Sequence, residues 1–319
     1  MGTHNISKLS QAIKSYVHSI HNDNQTIRND ISFVRNRIPA LEDGVDALQQ
    51  NQNHRRHDQI MEWISSTNFP AQQSDLMARR QEGTGQWFLK SPEFAKWLRT
   101  PRDTLYCPGI PGAGKTMIAA ITIDFLTRNV QSEVIGVAYI YCNYKAQADQ
   151  TVSNLLAAIL KQLVCARPSI VEPVSCLYEH HALRNTRPSL EEIFSTLQSI
   201  VRNYSSVYVI LDALDECSYQ DSTSSRLLAK FYDLQKEADL RIMVTSRFIH
   251  DVEKKFKSMA RLEVRAHDTD VKQFVEGQIY RLPNCVQRDK VLRDFVQDKI
   301  VEAVDGMLVD CAPFGIVVS

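Results

Sequence analysis

Apolar residues recur every seven positions over the first fifty residues, at Ile6, Ile13, Ile20, Ile27, Val34, Leu41 and Leu48. A second series sits four residues after each of the first six, at Ser10, Val17, Asn24, Ile31, Ile38 and Val45. The first series reads as d and the second as a of a heptad, and its length exceeds what is needed to read a coiled coil. Asn24 at an a position is a device for fixing register and strand number. Pro39 and Gly44 predict a break or kink near residue 39. The same pattern also fits an amphipathic helix packed within its own chain, so self-association through residues 6–48 and intrachain packing both stay open.

Residues 54 to 100 are polar and mixed. His54 and His57 are three apart, but with no matching Cys or Glu they read as a solvated helix face rather than metal ligands. Trp63, Trp87 and Trp97 read as packing residues. From Thr104 onward, short β-rich runs at 104–107, 134–142, 206–212, 240–246 and 260–264 alternate with helical stretches at about 115–128, 151–165, 189–202 and 222–236. A last helical stretch covers about 268–304. Such alternation predicts an α/β fold with a mostly parallel five-stranded sheet covered by helices. It is preceded by an α-helical, coiled-coil segment and followed by a partial helical domain. The expected divisions are 1–66 helical segment, 67–102 linker and helices, 103–265 core, and 266–319 partial helical domain with a divergent tail.

Composition changes this picture little. The chain has 319 residues, 44% apolar and 23% charged, the profile of an ordinary globular protein long enough to bury a core. Lysine plus arginine equals aspartate plus glutamate, 37 each. That balance, with no basic aromatic stripe, predicts no nucleic-acid partner. Seven scattered cysteines contain no CxxC pair, so the simplest reading is a reduced compartment without a cysteine-held metal. The start has no signal-type apolar stretch, and Ile6 stands where a myristoylation motif wants Ser or Thr. The longest apolar run, Val134 to Cys142, is too short for a membrane span. Cytoplasmic residence is the expectation by elimination.

Chemistry enters at Gly109-Ile-Pro-Gly-Ala-Gly-Lys-Thr116, which matches G-x-x-x-x-G-K-[ST]. Glycines let successive backbone N–H groups close around phosphates, and Lys115 adds a positive charge for the β- and γ-phosphates. The Thr116 hydroxyl is a magnesium ligand, and a helix from Met117 offers its N-terminal end to the same anion. Gly109, Pro111, Gly112, Ala113, Gly114, Lys115, Thr116 and Met117 are therefore the expected nucleotide-binding residues. The motif follows an apolar strand and opens a helix, as the mechanism requires.

Val207-Tyr-Val-Ile-Leu-Asp212 is a buried-type strand ending in a carboxylate. Such a strand is expected beside the cradle, with Asp212 orienting magnesium. Asp215 and Glu216 are candidate general bases, and the sequence leaves open which faces the γ-phosphate. Arg247, at the end of Arg241-Ile-Met-Val-Thr-Ser-Arg247, is positioned to sense the γ-phosphate. The expected cofactor is Mg2+ with ATP, or GTP.

These residues resemble the NACHT class of signal-transducing P-loop NTPases, closest to fungal proteins in which a NACHT module precedes ankyrin or similar repeats. The resemblance is carried by Arg79-Arg-Gln-Glu-Gly-Thr-Gly-Gln-Trp87, Pro92-Glu-Phe94, Trp97-Leu98, Cys107 to Thr116, Leu211-Asp-Ala-Leu-Asp-Glu216 and Val244-Thr-Ser-Arg247, within about residues 54–307. It implies a nucleotide-operated switch with slow hydrolysis, in non-self recognition or programmed cell death. It assigns Lys115 and Thr116 to the cradle, Asp212 to magnesium, Arg247 to the first sensor and Asp215-Glu216 to the extended acidic motif. Ala213 stands where many related ATPases carry the catalytic glutamate. The pattern departs after Met307, where relatives continue into further helical and repeat domains. Residues 308–319 are apolar and are expected to lack a packing partner. Two other readings are a helical scaffold with a vestigial NTPase core and a P-loop small-molecule kinase, the latter disfavoured because no arginine-rich lid stands out.

Overall fold

The computed structural model describes residues 2–217, 222–281 and 284–304. The apolar stretch 308–319 lies outside the described residues. The chain divides into two compact units, residues 1–59 and 60–319.

The first unit lies within helix α1 (Gly2–Ile64), which runs uninterrupted through the break expected near residue 39. A proline breaks a helix chiefly by its lost N–H and its clash with the preceding turn, and many helices absorb both as a bend. The heptad residues described here are exposed, among them Ile13 at 56%, Val17 at 61% and Ile27 at 54%.

In the second unit the helices and strands follow in chain order. Helices α2 (Phe69–Arg79), α3 (Gln86–Leu89) and α4 (Pro92–Arg99) precede β1 (Thr104–Pro108) and α5 (Lys115–Asn129). Then come β2 (Ile135–Tyr141), α6 (Val152–Ala166), α7 (Glu172–Ala182), α8 (Leu190–Val201), β3 (Ser206–Asp212) and α9 (Thr223–Glu237). The unit closes with β4 (Leu240–Ser246), α10 (His250–Lys255), β5 (Ala260–Arg261), α11 (Asp268–Gly277), α12 (Asn284–Arg288) and α13 (Lys290–Val304). Helix starts follow local chemistry. Ser189 and Glu192 form a reciprocal capping box on α8, Thr151 caps α6, and Ser91 caps α4 ahead of Pro92. The helical stretch expected over about 268–304 is present, as three α-helices among the described residues.

The sheet has five strands in the order β2-β3-β4-β1-β5, and every described pairing is parallel. The interior strand β3 is buried at all seven positions, as a sheet covered on both faces requires. Trp97 is fully buried, with its indole N–H donating to the Ile242 carbonyl at 2.9 Å and its ring edge against Tyr208. That is the packing role expected of it.

β3, which carries Asp212, and β1, which leads into the cradle, are not neighbours in the sheet. β4 stands between them, pairing Thr104 with Ile242 on one side and Val207 with Leu240 on the other. Adjacency in the sheet follows the crossover connections, which strand composition alone does not reveal. The cysteines are not all free, contrary to expectation: Cys142 and Cys217 form a disulfide across a Cα–Cα separation of 5.6 Å. The parallel register sets Tyr141 opposite Asp212 and the Cys142 N–H on the Asp212 carbonyl, so the chains leaving β2 and β3 converge. A sequence separation of 75 residues hides that meeting.

Candidate phosphate-binding site

The carboxyl ends of β1, β3 and β4 bring the chemistry-bearing segments together, the usual place for a ligand on an open α/β sheet. The loop after β1 makes its turn with Gly112 and Gly114 at φ of 76° and 86°, a region that costs a side chain about 1 kcal/mol or more. Gly114 is also the N-cap of α5. Gly109 is required for a different reason. A Cβ there would sit 2.4 Å from the Val264 carbonyl oxygen, because the strand-like segment at Val264 donates its N–H to Pro108 and closes over the loop.

Lys115 is drawn inward, its ammonium donating to the carbonyls of Gly109 at 2.9 Å and Ile110 at 2.8 Å. Burial lowers its pKa, and the carboxylates of Asp215 and Asp212 oppose that shift. Asp212 is buried at the end of β3. Its Oδ1 accepts from the Thr245 hydroxyl at 2.6 Å, while that same hydroxyl accepts from the Ala213 N–H at 2.9 Å. Burial pushes the Asp212 carboxyl up to about 6, against hydrogen bonds from Thr245 and Thr116 that favour the anion. Ala213 itself holds φ 53°, a left-handed conformation for a residue with a Cβ, at the point where the chain leaves the acid. The donor set of Thr116 hydroxyl and Asp212 carboxylate is all oxygen, which suits a hard divalent cation such as magnesium.

The two candidate bases have separate surroundings. Asp215 is 1% exposed at its side chain and takes Arg247 by both routes: its Oδ1 accepts the backbone N–H at 3.1 Å and its Oδ2 the Nε at 2.5 Å. Glu216 instead accepts from the Tyr144 N–H at 3.3 Å. Arg247 keeps 45% of its side chain exposed.

A cavity of about 560 Å³ unites residues 111–117 with Asp215, Glu216 and Arg247. Gly109 and Asp212 stand behind that lining. The other end of the cavity is walled by Leu76, Trp87, Ile118, Ile121 and Phe274. Trp87 packs against the core, as expected from sequence, and also lines the site. Its ring stacks on His267 at 6.0 Å, and its indole N–H donates to Asp270 Oδ2 at 3.1 Å. The same Asp270 oxygen accepts the Gly85 N–H at 2.8 Å, so one buried carboxylate on α11 clamps the loop ahead of α3. Thr245, Trp87 and Asp270 were not singled out by chemistry in the sequence. The first two lie inside motifs quoted for the family resemblance, whereas Asp270 sits in an unremarkable helix start.

The cradle, its following helix and the acid-tipped strand define a P-loop NTPase fold. A family profile described as Nephrocystin 3, N-terminal matches residues 83–247, and the chain belongs to that family. No curated protein matches the chain. Among solved structures it is similar to the Aeropyrum pernix ORC1 protein determined in complex with DNA, at 18% identity and TM-score 0.43, covering 65% of this chain and 52% of that one. It is also similar to a Walker-type ATPase of Pyrococcus abyssi, at 15% identity and TM-score 0.43, covering 72% and 66% respectively. The chain thus spans about half the length of the ORC1 protein. Among the described residues no helix is long and apolar enough to cross a membrane.

Proposed function

We propose that this chain is a magnesium-dependent nucleotide switch that binds ATP in preference to GTP and hydrolyses it slowly. The observation that carries the reading is the convergence of Lys115, Thr116 and Arg247 on one cavity, with Asp212 buried behind its lining, from three separate strand ends. A triphosphate would compete with the Gly109 and Ile110 carbonyls for the Lys115 ammonium, with gain because an anion is the stronger partner. Thr116 and Asp212 would hold magnesium, which neutralises charge on the β- and γ-phosphates. Arg247, held by Asp215 and partly exposed, would read the γ-phosphate.

Slow turnover follows from how the acids are occupied. Asp215 is committed to Arg247 and Glu216 to the Tyr144 backbone, while Ala213 offers no carboxylate. Among the described residues lining the cavity, Asp215 and Glu216 thus each already hold a partner, which supports slow turnover. A preference for adenine is supported by Gln278, a residue of the cavity wall whose Oε1 is buried with no hydrogen-bond partner. That acceptor suits the 6-amino group of adenine and not the 6-oxo group of guanine. The resemblance to NACHT proteins favours a role in signalling, for non-self recognition or programmed cell death.

The test is magnesium-dependent binding of labelled ATP and GTP to the purified chain beside Lys115→Ala. The expected result is binding that needs magnesium, favours ATP and is lost in the variant. A folded wild-type chain that binds neither nucleotide would overturn the reading and favour a helical scaffold whose NTPase core is vestigial.

A further inference from the structure

We propose that residues 10–48 of α1 form a parallel, in-register coiled coil with the same segment of a second copy of this chain. The starting point is the exposed seam. Val17, Ile31 and Val45 at a positions and Ile13, Ile20, Ile27, Val34 and Leu48 at d positions are each more than half exposed. The helix is continuous from Gly2 to Ile64, so the segment cannot cover its own seam by folding back as a hairpin. A period of seven also drifts only slightly around a helix of 3.6 residues per turn, which is the geometry that a supercoiled partner of the same period follows.

Charge decides both the partner and its direction. In the register of the seam, Asp23 and Asp30 occupy g positions, and Lys14, Arg28 and Arg35 occupy e positions; all five are exposed. A parallel partner sets each g residue against the e residue five places on in its neighbour. That pairs Asp23 with the second copy's Arg28, and Asp30 with its Arg35. In the sequence the next such pair is Arg37 and Glu42, with the signs exchanged. An antiparallel partner would set e against e and g against g, bringing the basic residues together and the acidic residues together. Identical chains therefore attract in parallel and repel in antiparallel. Asn24 enforces the same register, because its amide is satisfied by its counterpart only when the two helices are level. Isoleucine at d weighs toward three strands, but a buried Asn at a selects two, in keeping with a single partner copy.

The experiment compares the mass in solution of four samples of the full chain by sedimentation equilibrium. Wild type should exceed the 36.4 kDa of one chain. The pair D23K/D30K makes g and e both basic, and the pair R28E/R35E makes them both acidic. Each variant alone should fall to the mass of a single chain. An equimolar mixture should regain the wild-type mass, since each g then meets an opposite e, and that recovery also shows that both variants are folded. Wild type at the mass of one chain overturns the proposal. So do variants that keep the wild-type mass, which would mean antiparallel pairing or another surface, and so does a mixture that stays monomeric.

Discussion

Replacing Asp212 with asparagine should stabilise the metal-free protein at neutral pH and lose that advantage in acid. The carboxyl is buried and is pushed up to about 6 from an ordinary value of 3.8. The folded chain therefore holds a proton there over an interval in which the unfolded chain has released it. Stability from this group is present below pH 3.8, declines as pH rises through the interval, and is fully lost above 6. Each tenfold difference in proton affinity is worth ~1.4 kcal/mol. About two such steps separate the folded and unfolded states, so the cost of the anion is on the order of 3 kcal/mol. Asparagine carries no such cost. Its Oδ1 still accepts from the Thr245 hydroxyl, and its amide can donate to Thr116. Urea unfolding of both proteins in chelator, at intervals from pH 4 to 7.5, isolates this term, because every other titrating group is common to the pair. The stability of Asp212→Asn relative to wild type should climb by about 3 kcal/mol and then level off above pH 6. A difference that stays flat with pH would refute the reasoning, since it would mean that Asp212 ionises as freely in the fold as outside it.

Two further substitutions probe the frame around the site. Gly109→Ala forces a methyl to within 2.4 Å of the Val264 carbonyl, so a loss of about 1–3 kcal/mol is expected in urea unfolding; unchanged stability would show that this closure is loose. Asp270→Ala removes the acceptor of both the Gly85 and Trp87 N–H groups. It should weaken nucleotide binding measured by fluorescence titration, while leaving its magnesium dependence intact. The expected cost in stability is about 1–3 kcal/mol, each hydrogen bond to the charge being partly offset by relief of its burial.

Much of this architecture was legible because it is written locally. Strand ends at 104, 212 and 246 and the start of the cradle helix are marked by runs of β-rich residues and by Gly114, and the structure places them within a residue or two of expectation. The cradle was legible for the same reason: its turn demands glycine at particular positions. What could not be read depends on pairs of residues far apart. The place of β4 between β1 and β3 is set by crossovers. The disulfide joins residues that meet only because two parallel strands end together. Asp270 earns its role from Gly85 and Trp87, nearly two hundred residues earlier in the chain. The continuity of α1 is hidden for the opposite reason: Pro39 is a strong local break signal, and only the heptads on either side of it favour an unbroken helix.

The strand order also governs when the site can come into being. Among the described residues β1, which carries the phosphate loop, pairs with β4 and β5, and Thr104 finds its partner at Ile242. During synthesis the loop at 109–116 leaves the ribosome long before either neighbour exists. Until β4 is made, β2 and β3 can pair with each other, but β1 has no ladder to join. Seating it means closing one of the longest loops in the unit, a slow step because the entropy of closure is spent before the pairing is gained. A nascent chain released before Ser246 would carry the complete phosphate motif and no scaffold to shape it.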